Sequence, residues 1–353
     1  MTDFHIGQNL THPDHGACTV TFVGTDYVGV EFNNGGNALI KKDDFQRPPV
    51  PFKQTIAPTI RPSTWPESTF VQEGSDVQHY HGSHWDAFFD DARKILEKLP
   101  SIIPKTDVWI GGVNQKSTRP LPDEWIPGFV LVWPNQRQGL MVIISPGTES
   151  NELKSFYPFA TDGDQHSLTI RQVNVWESGV EAQIEVEIDM TTITFFDIAF
   201  AKHRLWYEAG KSYEFILMGI AYGAKPPEIM ELNFDTHPDD IEWQRALAEK
   251  RGEPTPEIPS KLSLRGMAMF IQVDGWDTDD YSFRGPIKSV RKVQGDILAQ
   301  EGWFVRVTVL RFGDDDFNLD ILITKRSWQD DSPPVVGQDI EGRLWLQGYL
   351  WSI

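Results

Sequence analysis

Cysteine is almost absent: Cys18 is the only one in 353 residues. A single thiol excludes an internal disulfide and any thiolate-rich zinc site, and it fits a reducing, cytoplasmic setting. No apolar run reaches the roughly 18 residues a membrane span needs. The opening MTDFHIGQNLTH lacks the basic-then-apolar pattern of a signal peptide. Bases are scarce, with 32 Lys and Arg against 51 Asp and Glu and a net charge of −19. Direct binding to a phosphate backbone needs clustered bases, so that class is disfavoured. There is also no G-x-x-x-x-G-K-[ST], no G-x-S-x-G, no H-E-x-x-H and no G-x-G-x-x-G after a strand. These gaps lean the reading away from an enzyme. No catalytic or cofactor-binding residue is assigned, and no cofactor is expected.

What is present begins with a small barrel, residues 1–46. Short apolar runs are separated by P-D-H-G at 13–16, G-T-D at 24–26 and N-N-G-G at 33–36. Tyr27, Gly29 and Glu31 alternate with Val28, Val30 and Phe32, the pattern of a strand with one buried face. The order G-x-x-(L/V)-x-H-P-x-x-G, then V-G-V-E-F-x-x-G, then L-I-K-K-x-x-F rests on Gly7, His12, Pro13, Gly16, Val28, Val30, Phe32, Gly35 and Leu39. It resembles the Tudor/SH3-like domain of CarD-type transcription factors and of UvrD-family helicase tails. That resemblance implies a protein-docking module, with no chemistry of its own. His12 and His15 are expected to cap the barrel's turn.

Residues 47–66 hold six prolines and read as a stiff linker. Then comes H-Y-H-G-S-H-W-D, residues 79–86, followed by Trp85, Phe88, Phe89, Ala92, Ile95, Leu96 and Leu99 at helical spacing. This predicts a helix over 84–99, capped by Ser83 with Asp86 in its first turn and stopped by Pro100. His79, His81 and His84 are the candidate metal ligands, since neutral imidazoles can converge on one cation. The favoured reading makes the stretch a helix entrance. Two buried strands, 129–133 and 139–145, complete an α+β unit over 67–158.

The rest repeats itself loosely. ITFFDIAF (193–200) matches FNLDILIT (317–324), and EAGKSYEFILMGIAYG (208–223) matches VVGQDIEGRLWLQGYL (335–350). Asp197 corresponds to Asp320, Gly210 to Gly337, Glu214 to Glu341, and Gly219 to Gly348. This predicts two related OB-like β modules, 159–232 and 262–353. Between them, 233–261 reads as an exposed connecting helix with a proline-rich tail. W-D-T-D-D (276–280) and G-D-D-D-F (313–317) offer oxygen ligands without EF-hand spacing, and they read as solvated turns.

The fold class expected is therefore a β-rich α+β multidomain chain: an SH3/Tudor-like barrel, a central α+β unit and two OB-like modules. The function expected is that of a non-enzymatic, cytoplasmic binding or adaptor protein of bacterial or phage type, docking on a protein partner, with no membrane contact. Its candidate partner-binding residues are Tyr27, Phe32, Trp345, Tyr349 and Trp351. The alternatives are a nucleic-acid-associated OB-type protein or acidic nucleic-acid mimic, and a metal-dependent hydrolase using His79, His81 and His84.

Overall fold

A computed structural model describes residues 4–12, 16–32, 37–42, 45, 69–71, 81–91, 93–118, 126–176, 178–189, 191–233, 238–252, 261–293, 298, 300–313 and 315–353. The chain is β-rich, with several sheets and few helices. It divides into two compact units, residues 1–55 with 229–264, and 56–228 with 265–353. The turns at 13–15 and 33–36, with His15 and Gly35, the linker 47–66, and His79 lie outside the described residues. No described helix is long and apolar enough to cross a membrane.

In the first unit, β1 (Asn9–His12), β2 (Gly16–Val23), β3 (Tyr27–Phe32) and β4 (Asn37–Lys41) form an antiparallel meander. Cys18, Val20, Val28, Val30 and Ile40 fill its small core, as the alternation requires. Tyr27 and Phe32 are half-buried. The helix α2 (Pro238–Arg251) and the hairpin β14 (Glu231–Asn233) with β15 (Lys261–Ser263) belong to this unit. The helix is not the free-standing connector expected. The Asp239 carboxylate accepts the Asp26 N–H at 2.8 Å. Trp243 covers Gly29 so closely that a Cβ there would sit 2.2 Å from the indole nitrogen.

The second unit holds the remaining strands. β5 (Thr69–Val71) joins parallel to β10 (Asp164–Val175). β10 then pairs with β11 (Ala182–Ile188) and β11 with β12 (Thr191–Asp197). β13 is the long strand Ser212–Lys225. In the second half, β16 (Met269–Gln272) precedes β17 (Asp280–Lys292), β18 (Gly302–Phe312), β19 (Asp315–Thr324) and β20 (Asp339–Ser352). The hydrogen bonds close two five-membered rings, β10-β11-β12-β20-β13 and β17-β18-β19-β13-β20. Each ring has one parallel pair, β12 with β20 and β19 with β13. The two β modules of the sequence are thus not separate: they share β13 and β20, and each half lends the other its closing strand. Gly219 and Gly348 lie on the shared strands where a side chain would not fit. A Cβ would meet Leu344 at 2.8 Å and Leu217 at 2.7 Å, respectively.

The sharing explains the near-continuous apolar run FILMGIA, since strands buried on both faces lose alternation. Phe215 and Leu217 point into the barrels, while Ile216, Met218 and Ile220 point outward. The outward face is covered by the α+β region. This region comprises α1 (Arg93–Ile102), a four-stranded sheet of β6 (Asp107–Val108), β7 (Phe129–Pro134), β8 (Gln138–Pro146) and β9 (Asn151–Ala160), and Trp85, Phe88, Ile95 and Leu99. The helix begins nine residues later than predicted. Residues Ser83–Trp85 are a single 3-10 turn without a side-chain cap. The capping role falls to Asp91, whose carboxylate accepts the Arg93 N–H at 2.9 Å. Pro100 lies inside the last turn, and the helix continues to Ile102. The cause is burial on several sides: His84, Trp85, Ala87 and Phe88 all face apolar neighbours, which one helical stripe cannot satisfy.

Candidate functional site

The 3-10 turn delivers two histidines into the layer between the α+β region and the shared strands. His81 Nε2 contacts Glu181 Oε1 at 2.7 Å. Glu181 itself accepts from Ser155 Oγ at 2.5 Å and Ser178 Oγ at 2.9 Å. Tyr157, Trp176 and Phe196 surround the His81 ring, with centroids at 4.8, 5.2 and 5.0 Å. His81 Nδ1 meets His84 Nδ1 at 2.8 Å. Both nitrogens of His81 are therefore engaged, so it offers none to a metal. The three-histidine set is not assembled among the described residues. His84 is 1% exposed and stacks on Trp345 at 3.7 Å and 4°. Burial, and then the neighbouring His81, hold its pKa well below the usual imidazole range.

These contacts constrain where the protons sit. Glu181 as a carboxylate accepts from His81 Nε2–H. The 2.8 Å Nδ1···Nδ1 contact needs one proton between the rings. When His84 carries it, His81 Nδ1 accepts and His84 Nε2 presents a lone pair. Among the described residues that nitrogen makes no hydrogen bond.

Opposite lies the turn Trp276–Asp280. It is not the solvated turn expected: Asp279 is 0% and Asp280 4% exposed. Asp279 accepts from Gln183 Nε2 at 2.9 Å and Trp345 Nε1 at 3.0 Å. Asp280 accepts from the Tyr222 hydroxyl. Burial, reinforced by Asp280 and Asp277, pushes the Asp279 carboxyl well up. Burial pushes Asp280 up to about 7, with Tyr222 opposing and Asp277 adding. A ring nitrogen of His84 and carboxylate oxygens of Asp277 and Asp280 all lie within 4.8 Å of one another. In G-D-D-D-F, in contrast, Asp315 and Asp316 are exposed, and Asp316 pairs with Lys288 and Arg311.

Tyr222 also opens onto a groove of about 530 Å³. The groove crosses β13, β20 and β17, and Trp276, Ser282, Phe283, Gln329 and Arg343 line it. Trp276 is 45% exposed, with the Arg343 guanidinium 5.1 Å from its ring and Tyr222 at 5.7 Å. Of the expected contact residues, Trp345 and Tyr349 are buried beneath the α+β region, and Trp351 is exposed at the chain's end. Sequence reasoning missed Glu181, Tyr222 and Trp276. The signal available was W-D-T-D-D directly abutting a strand, three carboxylates where a pleated core begins.

No protein-family model matches this chain, and no curated protein or solved structure is significantly similar to it.

Proposed function

We propose that this is a non-enzymatic binding protein built on two interlocked OB-like barrels, and that the groove over β13, β20 and β17 receives a segment of a protein partner. Each ring runs 1-2-3-5-4 with a parallel 3–5 pair, the OB arrangement, in which one face serves ligands. The observation that carries the reading is the half-exposed Trp276, backed by Tyr222 and Arg343 at the rim of an open groove. Aromatic and arginine anchors in a partly desolvated pocket are the usual centre of a protein interface. A phosphate backbone fits less well. Lys225 is already matched by Glu228, Arg343 lies on Trp276, and Glu341 stands in the lining. The small N-terminal barrel, if of the Tudor/SH3 type it resembles, adds a second docking module.

The test is capture of proteins from source-cell extract with the full chain and with Trp276→Ala/Arg343→Ala. One stoichiometric partner, lost from the double variant, supports the reading. No partner, or one that the variant retains in full, contradicts it. The OB-like order also favours a second reading, single-stranded nucleic acid. Titration of labelled oligonucleotides at ~20 mM salt, where the electrostatic contribution is largest, separates the two, and no binding is expected.

A further inference from the structure

We propose that the buried centre beneath the groove is a divalent transition-metal site, with His84 Nε2, Asp277 and Asp280 as its three protein ligands. Several independent features point there. The three residues come from two chain segments almost 200 residues apart, and a ring nitrogen of His84 and carboxylate oxygens of Asp277 and Asp280 already lie within 4.8 Å of one another. Tetrahedral coordination at ~2.0–2.2 Å puts ligands about 3.4 Å apart, so closure by about an ångström completes the face. Rotation of carboxylates supplies a movement of that size.

His84 is prepared for the role. Its ring plane is fixed by the stack on Trp345. Its Nδ1 is engaged by His81, and through it by Glu181. A ligating histidine is ordinarily held in this way, its second nitrogen tied back to a carboxylate or another acceptor that sets the tautomer. Here the tie runs through a second imidazole, and it leaves Nε2 as the free lone pair.

The charge balance agrees. Asp279 and Asp280 are buried, and their described donors are an amide, an indole, a phenol and backbone N–H groups, with no cation among them. Buried carboxylates are normally paired or coordinate metals. A dication would supply the missing positive charge. Two oxygens and one imidazole suit zinc, manganese, iron(II) or cobalt better than calcium, and no thiolate is present to select copper(I). Three protein ligands leave a fourth position for water or for an oxygen of whatever enters the groove beside Tyr222.

The experiment uses the full chain, stripped with chelator and dialysed. Zinc is titrated calorimetrically, and cobalt(II) is followed by its visible absorption. The expected result is one equivalent bound, with a tetrahedral-type cobalt spectrum. Asp277→Asn and His84→Gln should weaken zinc at least 100-fold. Glu181→Gln, which touches no metal, should weaken it about 10–100-fold, the usual effect of losing such a support. Circular dichroism of each apo variant checks folding, and Asp277, the most exposed of the three ligands, provides the variant best able to fold. No stoichiometric zinc would overturn the proposal. So would zinc bound equally by the wild type and by folded Asp277→Asn, since the ion would then sit elsewhere. The partner capture described above does not depend on the metal, so the two readings fail separately.

Discussion

Asp164 and Asp280 occupy matching places in the two rings. Each stands at the start of its ring's first strand, preceded by another acid, Asp162 or Asp277. Each lies beside a shared strand, Asp164 opposite Leu217 of β13 and Asp280 opposite Trp345 of β20. Their surroundings differ. Arg137 and Arg291 lie 3.5 and 3.1 Å from Asp162, and Arg306 lies 3.0 Å from Asp164. Among the described residues the donors to Asp279 and Asp280 are neutral, with an imidazole nearby. The matching position in the other half is paired with arginine. Strand 3 shows the reverse assignment. Asp320 is paired with Arg306 at 2.8 Å, while its repeat mate Asp197 is buried on the Tyr207 hydroxyl and the Ala199 N–H. Among the described residues, each half keeps one carboxylate set matched by cations and one held by neutral groups, and the neutral set of the second half lies beside the groove that Tyr222 lines.

The comparison can be broken most forcefully at the shared strands. Leu217→Ala on β13 and Leu346→Ala on β20 empty equivalent, fully buried places. Each should cost about 2–5 kcal/mol. If the rings are interlocked, each variant lowers the whole second unit's denaturant midpoint, without a separate early transition for one half. Arg306→Ala tests the arginine-matched side. It leaves Asp164 and the largely buried Asp320 without their cation, and a loss of about 2 kcal/mol in chemical denaturation is expected.

Asp197 provides a pH signature. Burial pushes its carboxyl up to about 7. Between about pH 4 and 7 the folded chain keeps a proton that the unfolded chain releases, so stability falls as pH rises through that window. Asp197→Asn should remove this residue's share of the decline and leave that of Asp279 and Asp280. It should be more stable than wild type at pH 8 by on the order of 1 kcal/mol, with the gap closing by pH 4. Thermal melts across that range read it out. The smallest effects concern the helix entrance. Asp91→Ala should cost about 1 kcal/mol as the functioning cap. The exposed Ser83, which makes no cap bond, should change stability by less than about 0.5 kcal/mol on replacement by alanine.

Much of the architecture is legible in the sequence. The alternating valines of the N-terminal sheet, the hairpin at 129–145 and the repeated Asp and Gly positions all have local signatures. Strand sharing does not: a strand's period is the same whichever neighbour it bonds, so β13 and β20 read as members of separate modules. The helix start was misplaced because Trp85, Phe88 and Phe89 have helical spacing yet are buried by tertiary contacts that a 3-10 turn serves better. The site was half visible. The histidine cluster drew attention, but its second half is an acidic turn nearly 200 residues downstream. Acid-rich turns are usually solvated, and only Gln183, Tyr222 and Trp345, brought in by the sheet, bury this one.

Anomalous diffraction from crystals of the full chain soaked in zinc distinguishes an acidic turn built for a cation from its arginine-matched counterpart. A single strong peak bonded to His84 Nε2, Asp277 and Asp280 is expected, with none at Asp162–Asp164. A peak at the arginine-matched turn, or an empty His84 centre at saturating zinc, would contradict it.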